Sequence, residues 1–252
     1  MKRVIVDLIR KGEWPNGHLP PEGDLARELG ISRTTVREAL AAMAREGIVV
    51  KKQGLGNLIV KSALQASFRF DLIVDFADMI ADAGYQPELR QSRPRRVKGV
   101  AVGPDNAVRG NFLTYDECFL ADGRPAILLV IYIPEELVLP EHPPLEKPIR
   151  QMGELLSLLT GRTVNHSLAY FRPDVAAGDT VRAFSLKEGE PIIAWNEVFY
   201  DLSDVPICYT DIRFHPKIIK LSMLRMGSYT YTSDCPSQFV EGDRATWETG
   251  SA

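Results

Sequence analysis

Between Glu22 and Lys61 the hydrophobic period changes once, and no other feature constrains the fold as strongly. Leu25, Ala26 and Leu29 share one side of a helix that begins near Glu22 and is stopped by Gly30. Ile31 fills the turn. Ser32 suits the N-cap of the next helix, because its hydroxyl accepts from a free backbone N–H. Val36, Leu40 and Met43 then recur at helical spacing as a buried stripe, and Gly47 ends the helix. From there the pattern turns extended. Ile48–Lys52 and Leu58–Lys61 read as two strands around the tip Gln53-Gly54-Leu55-Gly56. Ahead of all this, Val4, Leu8 and Ile9 form the stripe of a short helix closed by Gly12 and Pro15.

Burying that stripe leaves Arg33, Thr34, Thr35 and Arg37 exposed at the start of the third helix. Hydroxyls and a helix N-terminus bind phosphate, and an arginine can grip guanine O6 and N7 with two hydrogen bonds. Gly54 and Gly56 allow the hairpin tip to approach a minor groove, and Lys51, beside Lys52, can reach phosphates. These are the candidate DNA-binding residues. The charge distribution agrees. The 252-residue chain has a net charge of −3, yet residues 1–62 hold 11 basic against 7 acidic side chains and the remainder 19 against 26. A basic head on an acidic body suits a polyanion-binding module joined to something else.

The segment LARELGISRTTVREALAAMAREGIVVKKQGLGNLIV resembles the winged helix-turn-helix of the GntR family of bacterial transcription regulators. The SRTTVREAL stretch, the EG that follows and the GxG wing carry the resemblance, which covers about the first 62 residues. Two positions depart from the family pattern. Pro21 stands where a capping serine is usual, although its fixed φ suits a first helical turn. Gly23 stands where the family commonly has a DNA-contacting arginine, so that contact is missing or comes from elsewhere. The first helix is short for such a head, which implies either a trimmed helix or a start upstream of Met1.

Beyond residue 62 the pattern is mixed. Ser62–Phe70 reads as a linker or extended lead-in, and Ile73–Ala83 as an amphipathic helix. Strands are expected at Leu89–Val100, Asn111–Leu120, Ala126–Ile133, His166–Phe171, Ile192–Asp201 and Ile207–His215. Helices are expected at Gln151–Leu159 and Asp174–Phe184, with a turn at Ala121–Pro125, a proline-rich loop over 134–148, and a disordered tail from Gly227. The expected fold class is α+β: a winged helix-turn-helix over 1–62, a linker over 63–72, and a mixed domain with an antiparallel sheet over 73–226.

FADMIADAGYQPE, LADGRP before a strand ending in YIP, and LKEGEPIIAWNEVFYDLSDVPICYTDIRF resemble the UTRA effector domain of the HutC-like branch. That resemblance implies a chorismate-lyase-like fold that binds a small metabolite and biases a dimer toward or away from DNA. It also implies two arginines just before the Ala-Asp-Gly turn, taking a phosphate or carboxylate. Glu117 and Phe119 stand there instead. Leu129 and Cys208 stand where glutamates are usual. The resemblance gives Phe76, Glu117, Phe119, Leu129, His166, Cys208 and Thr210 as the candidate effector-binding residues, around a pocket less anion-seeking and more apolar than that of a sugar-phosphate sensor. Phe119 and Leu129 read equally well as plain core, Cys208 as an inert buried thiol, and His166 as a surface or core histidine.

The expected function is that of a ligand-responsive transcriptional regulator, a repressor. Its expected partners are an inverted-repeat, double-stranded DNA operator, a small-molecule effector and a second copy of the chain. An enzyme on the chorismate-lyase-like body and a DNA-binding dimer without an effector are the alternatives. No catalytic residue, metal site or cofactor is expected, since Cys118, Cys208 and Cys235 lie far apart and no Cys/His spacing suits a metal. The apolar runs fall short of a membrane span and the N-terminus has no apolar signal core. A reduced cytoplasm is therefore the expected compartment.

Overall fold

The computed structural model describes residues 1–52, 54–66, 68–71, 75–141 and 148–225. Gln53 of the hairpin tip, the expected helix start at Ile73, part of the proline-rich loop and the expected disordered tail lie outside them.

The head comprises α1 (Lys2–Arg10), β1 (His18–Leu19), α2 (Glu22–Glu28), α3 (Arg33–Arg45), β2 (Val49–Lys52) and β3 (Gly56–Ile59). The three strands form a sheet in the order β1-β3-β2. Val36, Leu40 and Met43 are buried as their spacing predicts, together with Leu25 and Ala26 of α2. The stripe of α1 differs from expectation: Ile5 and Ile9 point inward, while Val4 is exposed. Ile5 and Ile9 are four apart and stack on one face, and Val4, one residue away, is turned off it. The expected linker is not all extended. Residues Lys61–Gln65 form α4, whose Ala63 and Leu64 pack on the head's core.

The body contains α5 (Phe76–Asp82), β4 (Pro87–Gln91), β5 (Arg95–Val102), β6 (Val108–Ala121), β7 (Arg124–Pro134), α6 (Met152–Thr160), β8 (Val164–Val175), α7 (Asp179–Phe184), β9 (Pro191–Asp201) and β10 (Pro206–Phe214). Its seven strands make one antiparallel sheet in the order β4-β6-β7-β10-β9-β8, with β5 also paired to β6. Asp122 and Gly123, both at positive φ, close the β6–β7 hairpin as a tight two-residue turn. The single strand expected over Leu89–Val100 is two strands. β4 pairs with the end of β6 and β5 with its start, and the break falls at Ser92–Pro94, where Pro94 has no N–H to give a ladder. The helix expected from Asp174 begins only at Asp179, because Asp174 and Val175 continue β8 against Ile192 and Pro191.

Period-two burial sets the two faces of this sheet. Tyr115, Glu117 and Phe119 of β6 look toward the main core, as do Leu129 of β7, Ile212 of β10 and Trp195 of β9. Helices α5 and α6 lie on that core, through Met79 and Ile80 and through Leu155, Leu156 and Leu159. Head and body meet both directly and through the chain between them. Arg3 of α1 pairs with Asp78 of α5 at 2.8 Å, and buried Arg69 donates to the Glu46 carbonyl at the end of α3.

Candidate functional site

Two separate sets of residues stand out, one on the head and one on the body. On the head, the Ser32 Oγ accepts from the Thr35 backbone N–H at 3.1 Å, which caps α3 and fixes where its N-terminus points. Thr34 is exposed. Thr35 is half-buried, its hydroxyl folded back on Ser32 at 2.8 Å. Thr35 therefore belongs to the cap, and Arg33, Thr34 and Arg37 form the outward surface. Arg37 is exposed and rests on Glu22 of α2 at 3.1 Å. The Arg33 guanidinium lies across Gly23, where a Cβ would come within 3.0 Å of its Nη2. The space an arginine at position 23 would use is thus filled by the head group of Arg33. Lys51 is exposed beside the wing, and the Leu55 N–H bonds the Lys52 carbonyl to close the tip. Gly54 and Gly56 have φ near +78° and +77° with open space where a Cβ would go. Backbone conformation, rather than crowding, selects glycine there.

On the body, the structure brings six of the seven sequence-derived residues onto one face. Phe76 of α5 meets Phe119, Trp195 and Phe214 edge-on, with ring centroids 5.5, 5.8 and 6.0 Å away. Glu117, Phe119, Leu129, Cys208 and Thr210 are buried beside it. His166 does not join them. It pairs with Tyr200 in the register that runs unbroken to Val175, so its ring stacks on Tyr200 at 4.9 Å, near Asp204, on the face opposite to that of Trp195. The HSLAYF pattern has no alternation that would have revealed this. Nearly all of β8 is exposed on both faces.

Glu117 is 6% exposed, and Gln91 of β4, which donates to it at 2.6 Å, is its hydrogen-bond partner among the described residues. Burial pushes its pKa from the ordinary 4.5 to about 7, with Gln91 opposing and Asp75 adding to the rise. Sequence reasoning missed Glu197. It lies on the same face, one strand beyond Thr210, and accepts from Ser167 at 2.6 Å and from the Trp195 indole at 3.1 Å. Burial raises its pKa as well, against those two hydrogen bonds. The WNEVFYD alternation, with Trp195, Glu197 and Phe199 sharing a parity, was the available signal. Burial, and then the charges of Glu197 and Glu117, push the Cys208 thiol well up, which makes it a poor nucleophile or sensor. Arg213, the sequence's best source of a compensating cation, points the other way. Leu128, not Leu129, is its β7 partner, and its guanidinium is held by Asp211 and Asp174 beside a cavity of about 290 Å³.

A winged helix-turn-helix head on an antiparallel α+β body is what these elements define. Residues 2–59 match the model of the bacterial regulatory proteins of the gntR family, and residues 117–220 match that of the UTRA domain. The chain belongs to the GntR family, in its HutC-like, UTRA-bearing branch. The histidine utilization repressor of Pseudomonas putida is 34% identical over 87 residues, covering 34% of this chain and 34% of that protein. The chain thus spans about a third of the length of that curated relative. An uncharacterized HTH-type transcriptional regulator of Rhizobium meliloti is 25% identical over 233 residues, 87% of this chain and 92% of that one. The possible transcriptional regulator YydK from Bacillus subtilis shares the fold at a TM-score of 0.59 and 11% identity, over 89% of this chain and 99% of that one.

Proposed function

We propose that the chain is a ligand-responsive transcriptional repressor acting in the cytoplasm. Residues 1–62 bind an inverted-repeat operator, 63–72 link the parts, and 73–226 bind a small metabolite and form a homodimer. The observation that carries this reading is the capped, outward-facing start of α3. It presents Arg33, Thr34 and Arg37 next to a glycine wing flanked by Lys51, on a module whose core needs none of those side chains.

The body supports the regulatory half of the reading. Phe76 lies over the Glu117 face, and two residues on along α5 Asp78 holds Arg3 of the head and Arg150 of the body. A ligand that displaces Phe76 would shift α5 and with it the anchor of α1. The candidate effector contacts are Phe76, Glu117, Phe119, Leu129, Cys208 and Thr210. With a buried carboxylate on this face that pairs with no cation among the described residues, the effector is neutral or cationic and has an apolar portion. The dimer forms along β8. It lies at the sheet's edge, and Leu168 and Tyr170 are exposed on the face away from Trp195, so a second copy pairing antiparallel would cover both its free backbone groups and these side chains. The protein binds rather than catalyses. Glu117 and Glu197 rise from strands three positions apart, roughly 14 Å between backbones, too far to act as an acid–base pair on one bond.

Footprinting on the DNA upstream of the chain's own gene tests the reading. Protection of two symmetric half-sites, relieved by a metabolite, is expected. Protection of one half-site by a monomer, or no sequence-selective binding, would contradict it.

A further inference from the structure

We propose that the effector is an elongated organic cation, a protonated amine or guanidinium on an apolar body, seated between Glu197 and Glu117. This deepens the reading of that face as the effector site and rests on it.

The first observation is which carboxylates lack a counter-charge. Elsewhere in the chain, shielded acids are paired: Asp201 with Arg162 at 2.5 Å, Asp71 with Arg69 at 2.5 Å, Asp211 with Arg213 at 3.0 Å. Glu117 and Glu197 have neutral donors alone, Gln91 for one and Ser167 with Trp195 for the other, and neither pairs with a cation among the described residues. Removing a carboxylate from water without a cation is costly, so a site that keeps two of them is poised for positive charge from outside.

The second observation is Tyr115. Its side chain is 1% exposed, and its hydroxyl has no hydrogen-bond partner among the described residues. It stands two residues from Glu117 on the same face of β6, and it begins the cross-strand row Tyr115, Ile131, Thr210, Glu197. Tyr115 thus shares a strand and a face with Glu117 and a cross-strand row with Glu197. A buried hydroxyl without a partner costs about 1–3 kcal/mol, which a polar ligand group would recover.

The third is the wall. Trp195 packs against Phe76 at 5.8 Å and Phe171 at 4.9 Å, and its indole touches Glu197. Aromatic faces beside a carboxylate suit an organic cation, through the attraction of the rings' negative faces for positive charge. Phe171, 41% exposed, marks the open end, so the charged nitrogen sits at Glu197 and the body runs inward toward Tyr115 and Glu117. A shared metal ion does not fit, because carboxylates on backbones roughly 14 Å apart cannot both ligate it. An anion does not fit either, since Arg213 faces away.

The test uses the full chain and a matched alkyl series of four to ten carbons as monoamines, α,ω-diamines, alcohols and carboxylates, read by thermal shift and calorimetry. Amines or diamines are expected to raise the melting temperature and bind at least tenfold more tightly than alcohols of the same length. Carboxylates are expected to be inert. Glu197→Gln should weaken amine binding at least tenfold, and Glu117→Gln should weaken the longer diamines. Equal binding of alcohols or carboxylates, no response to any amine, or amine binding that survives both substitutions would overturn the proposal. The comparison among ligands on the unaltered protein holds even if a variant does not fold. Operator binding, measured alongside, separates the two failures: intact DNA binding without an amine response sinks the cation alone, and absent DNA binding sinks the regulator reading.

Discussion

Arg69 Nη1 donates to the backbone carbonyl of Glu46, the residue that ends α3, at 2.5 Å. The same guanidinium holds Asp71, so one buried side chain ties the end of the third helix to the turn at Phe70 and Asp71. A cation at a helix C-terminus also meets the negative end of its dipole. Arg69→Ala leaves a buried carbonyl and a carboxylate unpaired, and should cost about 3 kcal/mol of stability in urea unfolding. Arg69→Lys should recover only part of it, since a lysine cannot make the same fork.

Asp71 gives that joint a pH signature. Burial raises its pKa, but the hydrogen bond and charge of Arg69 outweigh burial and leave it below the ordinary 3.8. A carboxylate with a depressed folded pKa contributes stability that is present above its unfolded pKa and lost as pH falls through the folded one. Acid unfolding below about pH 4 should therefore be steeper in the unaltered chain than in Arg69→Ala. Equal slopes would contradict the assignment.

Glu117 behaves in the opposite sense. Its folded pKa of about 7 lies above the ordinary 4.5, so the folded state holds its proton longer than the unfolded chain. Stability from this group is full below about pH 4.5, falls as pH rises to about 7, and then stays lowered, by at most about 3 kcal/mol. Glu117→Gln should be more stable than the unaltered chain at about pH 8 and nearly equal to it at about pH 4. Urea titrations at both pH values check this.

The β8 edge predicts the assembly. Light scattering should report a dimer at micromolar concentration. A double substitution, Leu168→Glu with Tyr170→Glu, should shift it to monomer and lower operator affinity at least tenfold, while each protomer keeps its fold. A dimer that persists unchanged would place the interface elsewhere.

The head was legible in the sequence because its signals are local: a cap, a four-and-three stripe and a glycine tip each act within a few residues. Ser32 and Thr35 show the limit, since the hydroxyl expected to face outward is taken by the cap. In the body, strand parity puts Glu117 and Phe119, two residues apart on β6, on one face. It could not find Glu197, whose partnership with that face depends on the order β6-β7-β10-β9, a pairing of distant segments. His166 failed for a related reason. It alternates with Ser167, Ala169 and Phe171, which face the site, and no residue type announces which of the two sets is inward. The two-strand split was readable from Pro94, which has no N–H to give a ladder.

Fluorescence anisotropy of the chain's own upstream DNA tests most directly whether the start of α3 reads DNA. The comparison is between the unaltered protein and Arg33→Ala and Arg37→Ala, at fixed salt and with the fold checked by circular dichroism. Each substitution should cost about 1–3 kcal/mol and relax base preference at one position of each half-site. Operator affinity unchanged in both folded variants would contradict the account.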